Sequence, residues 1–148
     1  MLSQKARYAL RALFVLGAHE GNDPVMIADV AEEANVPRKF LEQILLEMKR
    51  RGIVHSTRGK FGGYKLGRKP EDIPFAEVIR VMDGPLALAP CASRTAYRRC
   101  DDCDDETTCA IRKVLLNVRD ATAEILEHHT LAHALADRKS AKRRRRAG

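Results

Sequence analysis

The stretch that decides the fold covers residues 36–69 and reads VPRKFLEQILLEMKRRGIVHSTRGKFGGYKLGRK. Its first part carries four apolar residues at helical spacing: Leu41, Ile44, Leu45 and Met48. This spacing predicts a helix that begins at Pro37 and stops at Gly52, because proline suits the first helical position and glycine the residue after the end. Two β-prone runs, residues 53–57 and 64–66, then flank a glycine-containing turn. The stretch therefore predicts a helix followed by a two-stranded hairpin.

The segments on either side complete a recognisable order of elements. Apolar spacing predicts one helix from Ala6 to Gly17, a short one from Ile27 to Ala34 and another from Phe75 to Met82. A short helix, a turn, a second helix and a hairpin are the parts of a winged helix-turn-helix. We therefore expect a mainly α fold with a small β-wing: a winged helix-turn-helix plus a long C-terminal dimerisation helix.

Four segments are predicted along the chain. Residues 1–84 are expected to form the winged helix-turn-helix domain, 85–109 a loop that holds all four cysteines, 110–137 a dimerisation helix and 138–148 a basic, disordered tail. The helix carries an apolar stripe from Ile111 to Ile125 that is too long for so small a domain to cover, which favours a two-fold homodimer over an intramolecular core helix.

Charge is distributed unevenly. The chain has 27 Lys and Arg against 20 Asp and Glu, and seven of the basic residues lie between Arg138 and Arg146. The tail either adds sequence-independent attraction to phosphates or is only a solvated end. In the rest of the chain, residues 38–69 hold ten Lys and Arg with two acids, whereas residues 71–109 hold nine acids with four Arg. The first of these two regions is suited to phosphates, and the second is not.

The predicted second helix and the hairpin offer the groups that duplex DNA requires. Gln43 can bond adenine bidentately, and Glu42 can accept a hydrogen bond from cytosine N4. Three cations of the helix suit phosphates: Arg38, Lys39 and Lys49. At the tip of the hairpin lie Arg58 and Lys60, and an arginine there suits the narrow minor groove of A·T-rich DNA. Taken alone, each of these features has an ordinary explanation without DNA binding, because any surface helix is charged and a glycine-rich hairpin can be merely a tight turn. The Gly-Lys-Ser/Thr of a phosphate-binding loop is absent.

Cys91, Cys100, Cys103 and Cys109 lie in one acidic loop, and the chain has no other cysteine. In a cytosolic chain such thiols favour a metal or redox site over a structural disulfide. Soft thiolates suit an iron–sulfur cluster or zinc, and the spacing does not decide between them; inert or merely oxidisable thiols are a further possibility.

Three blocks of the sequence resemble the Rrf2 family of bacterial winged-helix regulators, which includes IscR, NsrR and RirA. They are Leu2-Ser3 with Arg7-Tyr8-Ala9-Leu10-Arg11, then Phe40-Leu41-Glu42-Gln43-Ile44-Leu45, then Arg58-Gly59-Lys60-Phe61-Gly62-Gly63-Tyr64-Lys65-Leu66. The resemblance runs from Met1 to about Asp137. It implies a dimeric transcription factor, in a family whose members often sense iron–sulfur status, nitric oxide or iron. By position, Glu42 and Gln43 match the base-reading pair, and Arg58 matches the wing arginine.

The resemblance also implies a ligand set for a 2Fe–2S or 4Fe–4S cluster. Cys91, Cys103 and Cys109 match the three cluster cysteines of the family. The chain departs from the pattern in its longer gap after Cys91 and in the extra Cys100. Family members take a fourth ligand from a histidine or from a carboxylate of the partner's first helix, and arginines, Arg112 and Arg7, stand at those two positions here. Guanidinium cannot ligate a metal, so Cys100, a water, a small molecule or another residue would complete the site.

These observations predict a cytoplasmic transcriptional regulator that binds a near-palindromic operator in double-stranded DNA. No apolar run approaches the roughly 20 residues of a membrane span, and the first residues are not those of a secretory signal. No catalytic constellation or nucleotide-binding glycine pattern is present, so we do not expect an enzyme. Two alternatives stay open: a cluster-free Rrf2-type regulator that responds to another signal, and a zinc-stabilised adaptor that binds protein.

Overall fold

The structure is a computed structural model that describes residues 1–19 and 21–148. The helices and strands follow in this order: α1 (Gln4–Ala18), α2 (Ile27–Ala34), α3 (Arg38–Arg50), β1 (Val54–Thr57), β2 (Gly63–Leu66), α4 (Phe75–Asp83), α5 (Ala110–His128) and α6 (Leu131–Ala147). Short 3₁₀ turns lie at Pro70–Asp72 and Pro90–Ala92. The two strands pair antiparallel, with Val54 opposite Leu66. The prediction of a mainly α fold with a small β-wing is confirmed.

The helix-turn-helix is formed by α2 and α3. Asn35 ends α2 in the left-handed conformation, with a φ of 52°, which asparagine tolerates better than most residues. Pro37 is the N-cap residue of α3, one position before the first helical residue and not at that residue as the sequence predicts, and Gly52 follows the end of the helix with a φ of 70°. Pro37 and Gly52 set the length of α3, and with it the length of the helix face that points away from the domain core.

One hydrophobic core joins the N-terminal helices and the base of the wing. α1 packs against α2, α3, α4 and α6, and is therefore the central helix. The largest fully buried side chains are Leu13, Val30, Leu41, Ile44, Leu45, Met48, Ile53, Val54, Ile73, Val78 and Leu131. All four apolar residues that the sequence assigned to the inner face of α3 are among them.

The sequence predicts one dimerisation helix over residues 110–137, in which Leu131 and Leu135 continue the apolar pattern after a kink, whereas the structure has two separate helices there. α5 ends at His128, and the chain turns before α6 begins at Leu131. Thr130 caps α6, since its backbone N–H donates to His133 Nδ1 at 3.1 Å. The turn is also held by the Leu131 N–H, which donates to the Ile73 carbonyl at 2.8 Å. Leu131 therefore belongs to the domain's own core and not to an exposed stripe.

The segment 138–148 also differs from the prediction of a disordered tail, because α6 continues through it to Ala147. Arginine, lysine and alanine have high helix propensity, and cations are favoured at a helix C-terminus. The helix is already nucleated by its packed first turns, so the charged residues extend an existing helix. None of the helices in the described residues combines the length and the apolar character needed to cross a membrane.

Candidate DNA-binding surface and cysteine loop

The face of α3 opposite its buried residues carries the polar side chains that the sequence singled out. They are all exposed: Arg38, Lys39, Glu42, Gln43 and Lys49. The structure therefore brings every predicted contact residue of this helix to one accessible side. The orientation follows from the 3.6-residue period, because burying Leu41, Ile44, Leu45 and Met48 turns the other positions outward.

Hydrogen bonds order part of this face and fix α3 against α1. Arg38 Nε lies 3.2 Å from Glu42 Oε1, so a predicted phosphate contact and a predicted base contact are paired with each other. Lys5 Nζ of α1 donates to both carboxylate oxygens of Glu47, at 2.8 and 2.7 Å. Gln43 Nε2 is 3.5 Å from the same carboxylate. The Lys5 pair is half-exposed and contributes little free energy, but it restricts how α3 can rotate on α1.

The wing presents its two predicted cations at its tip. Arg58 and Lys60 are both exposed in the turn between β1 and β2. The turn needs glycine at Gly62, where a Cβ atom would lie 2.3 Å from the Thr57 carbonyl oxygen. Gly59 takes a φ of 111°, which L side chains rarely adopt. The glycine-rich block thus gives a tight turn that holds the two cations at the end of the hairpin.

Two exposed aromatic residues of this surface were missed by the sequence reasoning. Phe61 at the wing tip is 83% exposed, and Phe40 on α3 is 59% exposed. Lys60 Nζ lies 5.7 Å from the centre of the Phe61 ring. Phe61 lies in the turn between β1 and β2, and Phe40 is not one of the four residues of α3 that are buried. An aromatic residue in a polar turn was the signal available in the sequence for Phe61. Apolar groups at these points suit contacts with thymine methyl groups or sugars.

A third segment holds the wing on the domain. Val25 and Tyr64 exchange two backbone hydrogen bonds of 2.8 Å, so the residues before α2 act as a short third strand. The two chains approach so closely that a Cβ atom on Gly63 would lie 2.2 Å from the Val25 carbonyl oxygen. The wing and the helix-turn-helix are therefore joined by the backbone as well as by the core.

The cysteine loop, residues 85–109, connects α4 to α5. Cys91 is buried, and Cys100, Cys103 and Cys109 are half-buried free thiols. The pKa of the Cys100 thiol is raised, chiefly by its interaction with the Cys91 side chain, then by burial and by the charges of Asp102 and Cys103. Of the other thiols, Cys91 therefore acts most strongly on Cys100. Cys109 lies at the start of α5, where its sulfur accepts from the Arg112 backbone N–H at 3.4 Å.

The thiols have the chemistry that an iron–sulfur cluster or zinc requires, but they are not yet gathered into a site. Among the described residues, no three or more of His, Cys, Asp and Glu are arranged to hold a metal ion. A metal would need a local movement of the loop to bring Cys109 and its partners together. The donor set therefore fits such a group, whereas the present spacing of the donors does not.

Two arginines of α5 tie the beginning of the cysteine loop to that helix. Arg112 Nε donates to the Cys91 carbonyl at 3.1 Å, and Arg119 donates to the Ala92 carbonyl at 2.8 Å. The residue at the position of the family's histidine ligand thus binds the backbone of a cysteine instead. The part of the loop that these arginines hold is packed: Cys91, Ala92 and Ser93 are buried.

The apolar stripe of α5 is exposed in the isolated chain. Ile111 is 72%, Val114 59%, Val118 39% and Ile125 67% exposed, and no residue of α5 is fully buried. Exposed apolar residues in a continuous row are uncommon on monomers and mark contact surfaces. The prediction that this stripe is not covered by its own domain agrees with the structure.

Comparison with known proteins gives one consistent result. The family described as "Rrf2: Iron-dependent Transcriptional regulator" matches residues 2–137. An rrf2-like HTH-type transcriptional regulator of Rhodobacter capsulatus is 42% identical over 92% of this chain and 93% of its own length. CymR of Bacillus subtilis is 32% identical over 88% of this chain and 86% of its own length.

Solved structures agree with the sequence relatives. The structure of B. subtilis CymR, described as a global cysteine regulator, matches with a TM-score of 0.75 and 30% identity, over 92% of this chain and 96% of that one. IscR of T. potens matches with a TM-score of 0.74 and 30% identity, over 95% of this chain and 90% of that one. These relatives are regulators and not enzymes, as the sequence predicts. The chain belongs to the Rrf2 family of HTH-type transcriptional regulators.

Proposed function

We propose that this chain acts as a homodimer that reads a near-palindromic operator in double-stranded DNA with α3 and the wing. The observation that carries the proposal is the surface formed by these two elements. It holds the exposed polar face of α3 and the exposed wing tip, in a region with ten Lys and Arg and two acids. A surface of that shape and charge is complementary to the grooves and phosphates of a duplex.

Within this surface, each side chain has a role that follows from its chemistry. Gln43 reads adenine, and Glu42 accepts from cytosine N4 with the oxygen that Arg38 leaves free. Phosphates are contacted by Arg38, Lys39, Lys49 and Lys60, which position the protein without reading sequence. Arg58 enters the minor groove, and its preference for A·T-rich DNA comes from the narrow width and negative potential of that groove.

The dimer is formed by the apolar stripe of α5. Ile111, Val114, Val118 and Ile125 are the residues that a second copy would cover, and a two-fold axis through the stripe would make the contact self-complementary. Two copies of α3 related by that axis require two half-sites in register with the helical repeat of DNA. The palindromic operator is therefore a consequence of the interface.

We further propose that the cysteine loop is the sensing element and holds an iron–sulfur cluster. Cys91, Cys103 and Cys109 supply three thiolates, and Cys100, the neighbour of Cys91, supplies the fourth. When bound, the cluster supplies sensitivity to oxidant, nitric oxide and iron supply. Zinc is the alternative occupant, in a protein stabilised by the metal rather than regulated by it.

The residues of the chain itself provide a route from the cysteines to the dimer helix. Any displacement of Cys91 moves the carbonyl that Arg112 binds, and any displacement of Ala92 moves the carbonyl that Arg119 binds. Both arginines belong to α5, whose other side carries the apolar stripe. A shift of α5 would change the distance between α3 and the wing of one protomer and those of its partner, and hence the affinity of the dimer for the operator.

The DNA proposal is tested by replacing Arg58 with Ala and measuring binding to an operator selected from random duplexes and to an unselected duplex. We expect a larger loss on an A·T-rich operator than on the unselected duplex, since the minor-groove contact depends on groove width. Lys60→Ala is the matched control at the same tip, and its loss should be similar on both duplexes. Equal losses for Arg58→Ala would reduce that residue to a phosphate contact. Absence of salt-sensitive binding to any duplex would refute the proposed function.

The sensor proposal is tested by anaerobic purification with analysis of iron, acid-labile sulfide and zinc. Single Ala substitutions of Cys91, Cys103 and Cys109 should abolish the visible absorption of the cluster, and Cys100→Ala should weaken or shift it. Iron with sulfide supports the cluster, and zinc alone supports the adaptor. If all four variants keep both the absorption and the DNA affinity of the parent, the sensor idea is wrong.

A cluster-free regulator is the second candidate, and one observation favours it. CymR, whose structure is among the best matched here, is described as a cysteine regulator rather than as an iron–sulfur protein. The spacing of the thiols, which form no ready metal site among the described residues, is consistent with this alternative. Alkylation of all four thiols would leave DNA binding of such a regulator unchanged, whereas it would prevent assembly of a cluster.

A further inference from the structure

The last part of α6, residues 138–147, forms a basic arm. This arm is not part of the DNA-reading surface, which is the exposed polar face of α3 together with the tip of the wing. Seven of its residues are Lys or Arg and none is acidic, and every side chain from Arg138 onward is exposed. Among the ion pairs in the part of the chain that the structure describes, none involves this arm. The arm therefore carries about a quarter of all basic charge in the chain, and none of that charge is in an ion pair with another described residue.

The arm is attached to the domain through the first turns of α6. Leu131 and Ala134 are buried in the core, and Leu135 packs over Gly17 of α1 so closely that a Cβ there would lie 2.7 Å from its Cδ1. The guanidinium of Arg138 lies 4.8 Å from the centre of the Phe14 ring. Because the helix is continuous from these anchors, the remaining residues extend from α1 by about 15 Å at 1.5 Å per residue.

Such a helix favours a polyanion as its partner. Arginines at consecutive positions and at three- and four-residue spacing repel each other, and this repulsion is relieved when phosphates lie against them. The interaction with α1 also matters, because α1 is linked to α3 through the Lys5–Glu47 pair and the shared core. The arm thus continues from a helix that packs on the same core as α3.

We propose that the basic arm is a second, sequence-independent contact with duplex DNA, which binds phosphates of the same DNA molecule that α3 and the wing read. This inference rests on the proposed function and deepens it: the arm adds affinity and residence on DNA but no base discrimination. A polyanion of this kind is preferred over the acidic cysteine loop of a second copy, whose five acids at 101–106 offer fewer charges than a duplex.

The test replaces Arg143, Arg144, Arg145 and Arg146 together by Gln in the full chain and measures the salt dependence of binding to a selected operator and to an unselected duplex. Between about 50 mM and about 200 mM salt, the magnitude of the slope of log K against log salt should fall by roughly 3.6 per protomer if each of the four arginines meets a phosphate. The ratio of operator to unselected affinity should stay constant. The matched control replaces the same four arginines by Lys, which keeps the charge and should keep the slope.

Each outcome of this experiment either supports or overturns the arm contact, and the outcomes distinguish its failure from that of the proposed function. An unchanged slope in the Gln variant, with the parent binding DNA normally, would overturn the arm contact and leave the proposed function intact. Dissociation of the dimer in that variant, with an unchanged slope, would assign the arm to the partner's acidic loop instead and also overturn the proposal. If the parent itself binds no duplex, the proposed function fails first. The replaced side chains are exposed, and an unchanged thermal midpoint will verify that the variants are folded.

Discussion

At Gly63 the wing can pack against the domain only because glycine has a hydrogen atom where every other residue has a Cβ atom. The Val25 carbonyl occupies the space where any other residue would have its Cβ atom, and the two backbones exchange hydrogen bonds at this point. The sequence indicated a turn rich in glycine, and Gly59 and Gly62 do serve the turn, one through its φ and the other through its contact with the Thr57 carbonyl. Gly63 instead allows the close approach of the segment before α2.

Replacing Gly63 by Ala should therefore destabilise the protein and loosen the wing. We expect a loss of about 2 kcal/mol or more in the free energy of unfolding, because a buried backbone pair must separate and leave polar groups unpaired. Urea unfolding monitors the loss, and hydrogen exchange at Val25 and Tyr64 locates it. Gly17→Ala is the control, since its new methyl group meets no backbone: its close contact is the flexible end of Leu135, and Leu131 lies at an ordinary van der Waals distance of 3.6 Å. Equal stability for Gly63→Ala and the parent would contradict the close approach.

Asp120 gives a residue-scale prediction that depends on pH. Its pKa is lowered, first by the hydrogen bond from Arg119 and then by the charges of Arg119 and Arg94. A carboxylate with a depressed pKa stabilises the fold above its unfolded pKa of about 3.9, and this stabilisation is lost as the pH falls through the folded value. Asp120→Asn should lower the thermal midpoint at pH 7, and the difference should narrow below about pH 4. Asp137→Asn is the control on a neighbouring helix. A difference that stays constant with pH would show that the ion pairs are not its cause.

At the scale of elements, α6 is the helix that makes the C-terminal half differ from the one dimerisation helix predicted from the sequence. Its first turns are part of the DNA-binding domain, because Leu131 enters the core and its N–H pairs with Ile73. α5 alone is left to carry the exposed stripe. The cysteine loop is also better ordered than its composition suggests, since hydrogen bonds from Arg112 and Arg119 hold its first residues on α5.

Leu131→Ala tests the assignment of α6 to the core. Removing a fully buried leucine should cost about 2–5 kcal/mol, through lost burial and the cavity that is left. The measurement is urea unfolding at a fixed protein concentration. Met26, which is 54% exposed, provides the control, and Met26→Ala should change stability by less than about 0.5 kcal/mol. A small effect of Leu131→Ala on unfolding together with dissociation of the dimer would place Leu131 in the interface instead.

At the scale of the whole molecule, two exposed surfaces differ in character. The surface of α3 and the wing is basic and polar, whereas the stripe of α5 is apolar. Such a molecule can form a dimer through the apolar stripe of α5, and the dimer then exposes two copies of the basic surface. The proposed route from the cysteines to the operator depends on α5, since it contacts both the loop and α4.

Val118→Asp should convert the proposed dimer into a monomer. A buried carboxylate without a partner is strongly unfavourable in an apolar interface, and two of them would face each other near the two-fold axis. Sedimentation velocity measures the change in mass, and operator affinity should fall because the half-sites are then bound independently. Asn117→Asp places the same charge on the flank of the helix and should leave the mass unchanged. A parent chain that is monomeric at micromolar concentration would remove the dimer from the proposal.

The sequence by itself determined the local structure and the family. Apolar spacing located α1, α3 and α4 to within about two residues at each end, Pro37 and Gly52 flank α3, and the charge of residues 38–69 marked the surface. These features depend on neighbouring residues, whose periods and propensities can be read directly. The candidate contacts of α3 and the wing tip followed, since their exposure is fixed by the burial of the opposite face.

Only the tertiary structure decided where the apolar residues after α5 go and what holds the cysteines. A period of 3.6 residues identifies an apolar face but not the surface that covers it, so Leu131 and Ile125 looked alike in the sequence although one is buried and the other is exposed. The bonds from Arg112 and Arg119 join residues 21 and 27 positions apart, and no local pattern encodes such pairs. The break at Thr130 arises because Ile73 and Phe75 offer partners to the backbone there, which is a property of the folded chain.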